Sequence, residues 1–267
     1  MLDVVEQMRV RPADTASIAS LRGKVSAEEW ALRVDLAATY RLVAHYGWDD
    51  MIFTHISARV PGPEHHFLIN PYGLLFDEIT ASSLVKIDVN GKKVQETPFP
   101  VNPAGFTIHS ALHMNRDDAH CIIHLHTTDG VAVSAQEQGL LPLDQHAMLI
   151  CGDIAYHDYE GVALDLDERD RLVHDIGGKH AMILRNHGTL ALGKSCADAF
   201  MRMFYLERAC SMQVRALAGG VKPNMPHQGV PEKTAAQGAE AFDGIIGPLA
   251  WPALLRKLDR LDPGYRN

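Results

Sequence analysis

The sequence predicts an α/β domain with a tail at each end. Three observations carry this expectation: helix-period segments alternate with short β-like runs through residues 26–217, glycine and proline pairs punctuate the boundaries, and no segment repeats. With 267 residues, 46% of them hydrophobic, the chain can bury one sizeable core. Residues 1–25 are polar with little periodicity and form an N-terminal arm. Residues 26–220 form the domain, and residues 221–267 form a C-terminal tail expected to pack on a neighbouring subunit.

Taken in order, Ser26-Ala27-Glu28-Glu29 is a capping box, and Trp30, Val34, Ala37, Tyr40 and Ala44 continue from it as an apolar helical stripe that stops near Gly47. Residues 51–60 are β-like and stop at Pro61-Gly62-Pro63; residues 66–70 are their partner strand. Residues 84–89 and 92–95 form a hairpin about Asn90-Gly91. A helix spans 104–114 and carries His109 and His113 four apart on one face, a spacing suited to a metal but, with no adjacent Glu, better suited to packing or hydrogen bonding. Then comes the strand Cys121-Ile122-Ile123-His124-Leu125-His126. A helix over 129–138 ends at Gly139, residues 148–156 have mixed strand character, and a helix over 166–177 stops at Gly177-Gly178. Strands at 181–184 and 189–192 flank Arg185-Asn186-His187-Gly188. Ser195 caps the longest helix, which runs to Leu217, and in the tail only 250–261 is helical.

Composition removes several function classes. The net charge of -8, with Lys and Arg scattered, provides no field for nucleic acid. No apolar run reaches the roughly 20 residues of a membrane span, and Asp3 and Glu6 stand where a signal peptide carries positive charge. A cytoplasmic protein is expected. The four cysteines lie far apart with no C-x-x-C pair, which suits buried, reduced thiols. G-x-S-x-G, G-x-G-x-x-G and H-E-x-x-H motifs are all missing.

The chemistry centres on histidine. On a strand, His124 and His126 project from one face while Leu125 points into packing. His187 lies at a strand break, where Gly188 lets the backbone bend sharply and approach other groups. Three imidazoles with open positions are the donor set of a catalytic metal site. Zn²⁺ is the first expectation by ligand type, and Mn²⁺, Co²⁺ and Fe²⁺ are compatible. Asp129 could add a carboxylate but is better placed as a helix N-cap.

The segments Thr54-His55-Ile56-Ser57-Ala58-Arg59, Asn70-Pro71-Tyr72-Gly73-Leu74-Leu75-Phe76-Asp77-Glu78-Ile79-Thr80, Asn102 through Ala111, His124-Leu125-His126-Thr127, Ala155 through Tyr159 and Arg185-Asn186-His187-Gly188 together resemble the class II aldolase/adducin family. In detail they are most similar to adducin head domains and bacterial adducin-like proteins. The resemblance implies a three-layer α/β/α fold around a mostly antiparallel sheet, and a homotetramer with sites between subunits. It implies that His124, His126 and His187 match the three zinc-binding histidines of the family's aldolases. The aldolases' catalytic glutamate falls at Gly105 or Ala104, so that carboxylate is missing. Their phosphate pocket departs too: its Gly-Asn pair matches Thr54-His55, its Thr-Gly pair matches Tyr72-Gly73, and its two serines fall near Pro103 and Ala104.

Two readings follow. One is a metal-dependent lyase that cleaves a C–C bond of a small hydroxylated substrate, not a sugar phosphate, by retro-aldol reaction or decarboxylation, with His109, Tyr72 and His55 as candidates for proton transfer. Each of those three has a structural hydrogen-bonding role as its alternative. The other is a non-catalytic, adducin-head-like oligomerisation or binding domain.

Overall fold

A computed structural model describes residues 18–161 and 168–267. Helix α1 (Ala27–His45) starts as expected, with the Glu29 backbone N–H donating to Ser26 Oγ at 3.1 Å. The expected box closes only on that side. Glu29 reaches inward instead, accepting from Arg33 Nε at 2.9 Å and from Lys86 Nζ at 2.8 Å. Arg33 is fully buried, and its other donors meet the Ala81 and Leu84 carbonyls and Gln95 Oε1. A buried charge whose three nitrogens all donate is tolerable where an unpaired one is not.

The strands β1 (His55–Arg59), β2 (Phe67–Ile69), β3 (Val85–Ile87), β4 (Cys121–Leu125), β5 (Ile154–His157), β6 (Ala181–Leu184) and β7 (Gly188–Gly193) make one sheet in the order β3-β2-β1-β4-β7-β6-β5. Among the described residues only β5 and β6 pair in parallel. The Asn90-Gly91 turn forms, but the far arm of the expected hairpin contributes a single bridge, Ile87 to Lys93.

Period-two alternation splits the apolar residues between two cores. Ile56, Ala58, Cys121, Ile123, Leu125, Ile183 and Ala191 face the core built with α1 and α6 (Cys196–Leu217). Ile122, Met182, Leu184, Leu190 and Leu192 face the second core, with Ile108 and Leu112 of α2 (Pro103–Asn115) and Leu172 and Ile176 of α5 (Glu168–Ile176). The result is helices on both faces of a mostly antiparallel sheet. His55, Ser57 and His124 share the α2 face by the same alternation.

Three expectations are corrected. The mixed strand over 148–156 is mostly helical: Asp144 Oδ1 accepts from the His146 and Ala147 backbone, starting α4 (Gln145–Ile150), and a turn at Cys151–Asp153 delays β5 to Ile154. The helix expected to reach residue 138 is α3 (Thr128–Ser134), and its cap is Thr127, whose Oγ1 accepts from Gly130 N at 3.0 Å. The tail holds two helices, α7 (Val230–Phe242) and α8 (Ile246–Leu261), where one was expected. Pro231 sits in the first turn of α7, where its missing N–H is harmless. The tail also makes contacts within the chain: Trp251 Nε1 donates to Asp35 Oδ1 at 3.0 Å, and Tyr265 is fully buried. The helix expected over 166–177 is described from Glu168 onward, and most of the N-terminal arm lies outside the described residues. All four cysteines are unpaired thiols, and among the described residues no helix is long and apolar enough to cross a membrane.

Candidate metal centre

The site forms where β4 ends and β7 begins. β4 delivers His124 as its fourth residue and His126 just past its end, and β7, paired antiparallel to it, begins at Gly188, next to His187. One nitrogen from each of His124, His126 and His187 lies within 4.8 Å of the other two. A Cβ at Gly188 would come within 3.0 Å of His126 Cδ2 and 3.4 Å of His124 Cε1, so only glycine lets the His187 turn close over the other two rings.

Hydrogen bonds fix which nitrogens face inward. His124 Nδ1 donates to the Thr189 carbonyl at 3.0 Å, and His126 Nδ1 donates to Asp50 Oδ2 at 3.3 Å. Both Nε2 atoms therefore carry lone pairs, and they face each other at 3.0 Å. Two lone pairs at that distance repel unless a cation takes both. The outward bonds to a carbonyl and a carboxylate are the usual supports of metal-ligating histidine. The rings are held neutral, the form that ligates: burial, aided by the neighbouring rings, pushes His124 well below the ordinary histidine value and His187 down to about 4, and burial lowers His126 despite Asp50. The donor set thus fits a divalent cation. Asp129 takes no part, because Ser211 Oγ and Arg215 Nη1 donate to its carboxylate at 2.5 and 3.0 Å.

The three proton-transfer candidates separate. His55 pairs with His124 across β1 and β4, their ring centroids 5.1 Å apart, and His109 of α2 meets His55 at 2.9 Å. Both are buried. Tyr72 sits half-buried on the Pro71–Gly73 turn, its backbone N–H on the Pro100 carbonyl, and no hydrogen bond among the described residues joins it to the imidazoles.

Several site residues escaped sequence reasoning. Asp50 gave no signal, being the second of two adjacent acids, Asp49 and Asp50, in the loop before β1. Ser57 carried one, since it follows His55 by two residues and must share its face. Glu207 carried one as well: it is a carboxylate among Met203, Leu206 and Cys210 on α6, buried, accepting from the Thr127 and Thr189 hydroxyls. Those threonines flank the ligand turns, so Glu207 ties the end of β4 to the start of β7 from behind.

The family described as Class II Aldolase and Adducin N-terminal domain matches residues 34–214. A Caulobacter vibrioides protein, provisionally named an aldolase class 2 protein, is 59% identical over 253 residues, covering 93% of this chain and 96% of that one. Mouse alpha-adducin is 43% identical over 253 residues, covering 90% of this chain but 34% of the adducin. The crystal structure of an aldolase II superfamily protein from Pseudomonas syringae superposes with a TM-score of 0.89 at 50% identity, covering 93% of this chain and all of that one.

Proposed function

This chain belongs to the class II aldolase and adducin family, and from that premise we propose that it is a divalent-metal-dependent lyase acting on a C–C bond of a small hydroxylated substrate. The observation that carries the proposal is the convergence of one nitrogen each from His124, His126 and His187 within 4.8 Å, with the Nε2 atoms of His124 and His126 at 3.0 Å and both rings backed by an outward hydrogen bond. A domain that served only as a scaffold would have no use for that convergence. His124, His126 and His187 would hold the cation, with Zn²⁺ first by ligand type, and it would supply Lewis-acid polarisation of substrate oxygens beside the bond that breaks. His55, His109 and Tyr72 are the candidates for moving protons in this reading. Retro-aldol cleavage and decarboxylation both fit. A sugar phosphate does not, since Thr54-His55, Tyr72-Gly73 and Pro103-Ala104 replace the family's phosphate-binding pairs. A cytoplasmic homo-oligomer, a tetramer by family resemblance, completes the reading.

The second reading, a non-catalytic binding domain, is favoured by the similarity to alpha-adducin and by Gly105 at the glutamate position. One experiment separates them. Elemental analysis of purified protein should find about one divalent metal per chain, lost in the double variant His124→Ala, His126→Ala, and the metal-loaded protein should cleave members of a panel of hydroxy-aldehydes and hydroxylated aromatic acids. A folded wild-type protein that takes up no metal would establish the binding-domain reading.

A further inference from the structure

Beside the candidate metal centre, the face of β1 under α2 carries an unbroken chain of hydrogen bonds. His55 Nδ1 lies 2.9 Å from His109 Nε2, and His109 Nδ1 lies 2.6 Å from Ser57 Oγ. Ser57 Oγ lies 2.7 Å from His113 Nε2, and His113 Nδ1 lies 2.6 Å from the Ala119 carbonyl. All four side chains are at most 3% exposed.

The directions of these bonds follow from the terminus, because a carbonyl can only accept. His113 therefore donates from Nδ1. Burial pushes its pKa down to about 3, so the ring holds one proton and its Nε2 is a lone pair. Ser57 must donate to that lone pair, and its oxygen then accepts from His109 Nδ1–H. Burial also keeps His109 neutral, which makes its Nε2 an acceptor and obliges His55 to donate from Nδ1. The reverse assignment would set a ring lone pair against the Ala119 carbonyl at 2.6 Å. One backbone carbonyl thus fixes three tautomers in series. His55 Nε2, the ring nitrogen that makes no bond to His109, ends the chain on the residue paired with His124 in the sheet.

We propose that His55 takes a proton from the substrate at this centre and returns it, and that His109, Ser57 and His113 are positioning residues that hold His55 Nε2 in its unprotonated, accepting form. The proposal rests on the lyase reading and narrows it. A resting base suits retro-aldol cleavage of a β-hydroxycarbonyl compound, which starts by removing a proton; decarboxylation loses CO₂ without one and needs instead a donor to the carbanion that CO₂ leaves behind. In the step, His55 Nε2 takes the hydroxyl proton and the O–H electron pair becomes the π bond of a new carbonyl. The C–C bond breaks, and its pair passes into the substrate's other carbonyl as an enolate. The proton then moves from His55 to the enolate carbon, so two neutral carbonyl products leave and His55 is restored. His55 replaces the family's missing glutamate, and Ser57 and His113 acquire a role through it.

The test reads tautomers directly. In protein labelled with ¹⁵N-histidine, correlation of ring nitrogens with carbon-bound ring protons separates N–H from lone-pair nitrogens. His55, His109 and His113, assigned by His→Gln variants, should all be neutral with the proton on Nδ1, the minor form of histidine in water. Ser57→Ala should release His109 and His55 into mixed tautomers and lower kcat roughly 10- to 100-fold with KM nearly unchanged, and Ser57→Thr should restore both. His55→Asn should keep its metal and lose about 10²-fold or more in kcat. A proton on Nε2 of His55 in the wild type, or an unchanged kcat in Ser57→Ala with altered tautomers, would overturn the relay. The expected tautomers in a protein that cleaves hydroxylated aromatic acids but no β-hydroxycarbonyl compound would overturn the proton-transfer role of His55 and leave the lyase reading standing, and cleavage of neither class would overturn both.

Discussion

His126 and Asp50 meet at 3.3 Å, and that bond decides which ring nitrogen of His126 turns towards His124 and His187. Without it the imidazole can turn or change tautomer, and the cost falls on the ligand set rather than on folding. Asp50→Asn removes the charge and keeps the shape at a side chain 41% exposed. Metal affinity, measured by competition with a chromogenic chelator, should fall roughly 10- to 100-fold while the circular dichroism spectrum stays that of the wild type. An affinity within twofold of wild type would remove Asp50 from the site. His124 has a sturdier support: its acceptor is the Thr189 carbonyl, a backbone group that no side-chain substitution deletes.

Helix α7 shows how an element is placed by a close approach. Its Gly238 packs against α4, where an added Cβ would lie 2.8 Å from the carbonyl carbon of Leu149, nearer still to its oxygen. A glycine in a helix interior costs about 1 kcal/mol in propensity, and here backbone proximity repays it. Gly238→Ala should improve the helix intrinsically yet destabilise the protein by roughly 1–3 kcal/mol through overpacking. In calorimetry that is a fall in Tm of several degrees, and a rise in Tm would mean α7 has freedom to shift on α4.

Across the whole molecule, Glu207 couples the site to pH. Burial, opposed by the Thr127 and Thr189 hydroxyls, raises its carboxyl from the ordinary 4.5 to about 7. A carboxyl with a raised pKa in the fold is protonated there while the unfolded chain has already lost the proton. Its contribution is therefore full below pH 4.5 and is lost as pH rises to about 7. The span corresponds to roughly 3 kcal/mol. Glu207→Gln keeps a neutral side chain at every pH, so its stability relative to wild type in urea titrations should rise between pH 4.5 and 7 and level off above. A difference that is flat with pH would mean Glu207 is ionised in the fold throughout.

What the sequence determined by itself is local. Ser26 and Ser195 announced α1 and α6, because a cap and the N–H it satisfies lie three residues apart; alternation placed His124 beside His126, and Gly188 marked the bend at His187. Local signals failed where they competed, as at residues 148–156, where strand propensity lost to the Asp144 cap, and at α7, where Pro231 and Gly238 resemble breakers. Tertiary structure alone decided the rest. Sheet register set His55 against His124, α2 brought His109 and His113 onto Ser57, and the loop before β1 brought Asp50 to His126. Each of these contacts joins residues remote in sequence, and the direction of a hydrogen-bond chain depends on its far end, here the Ala119 carbonyl, which only the folded chain supplies.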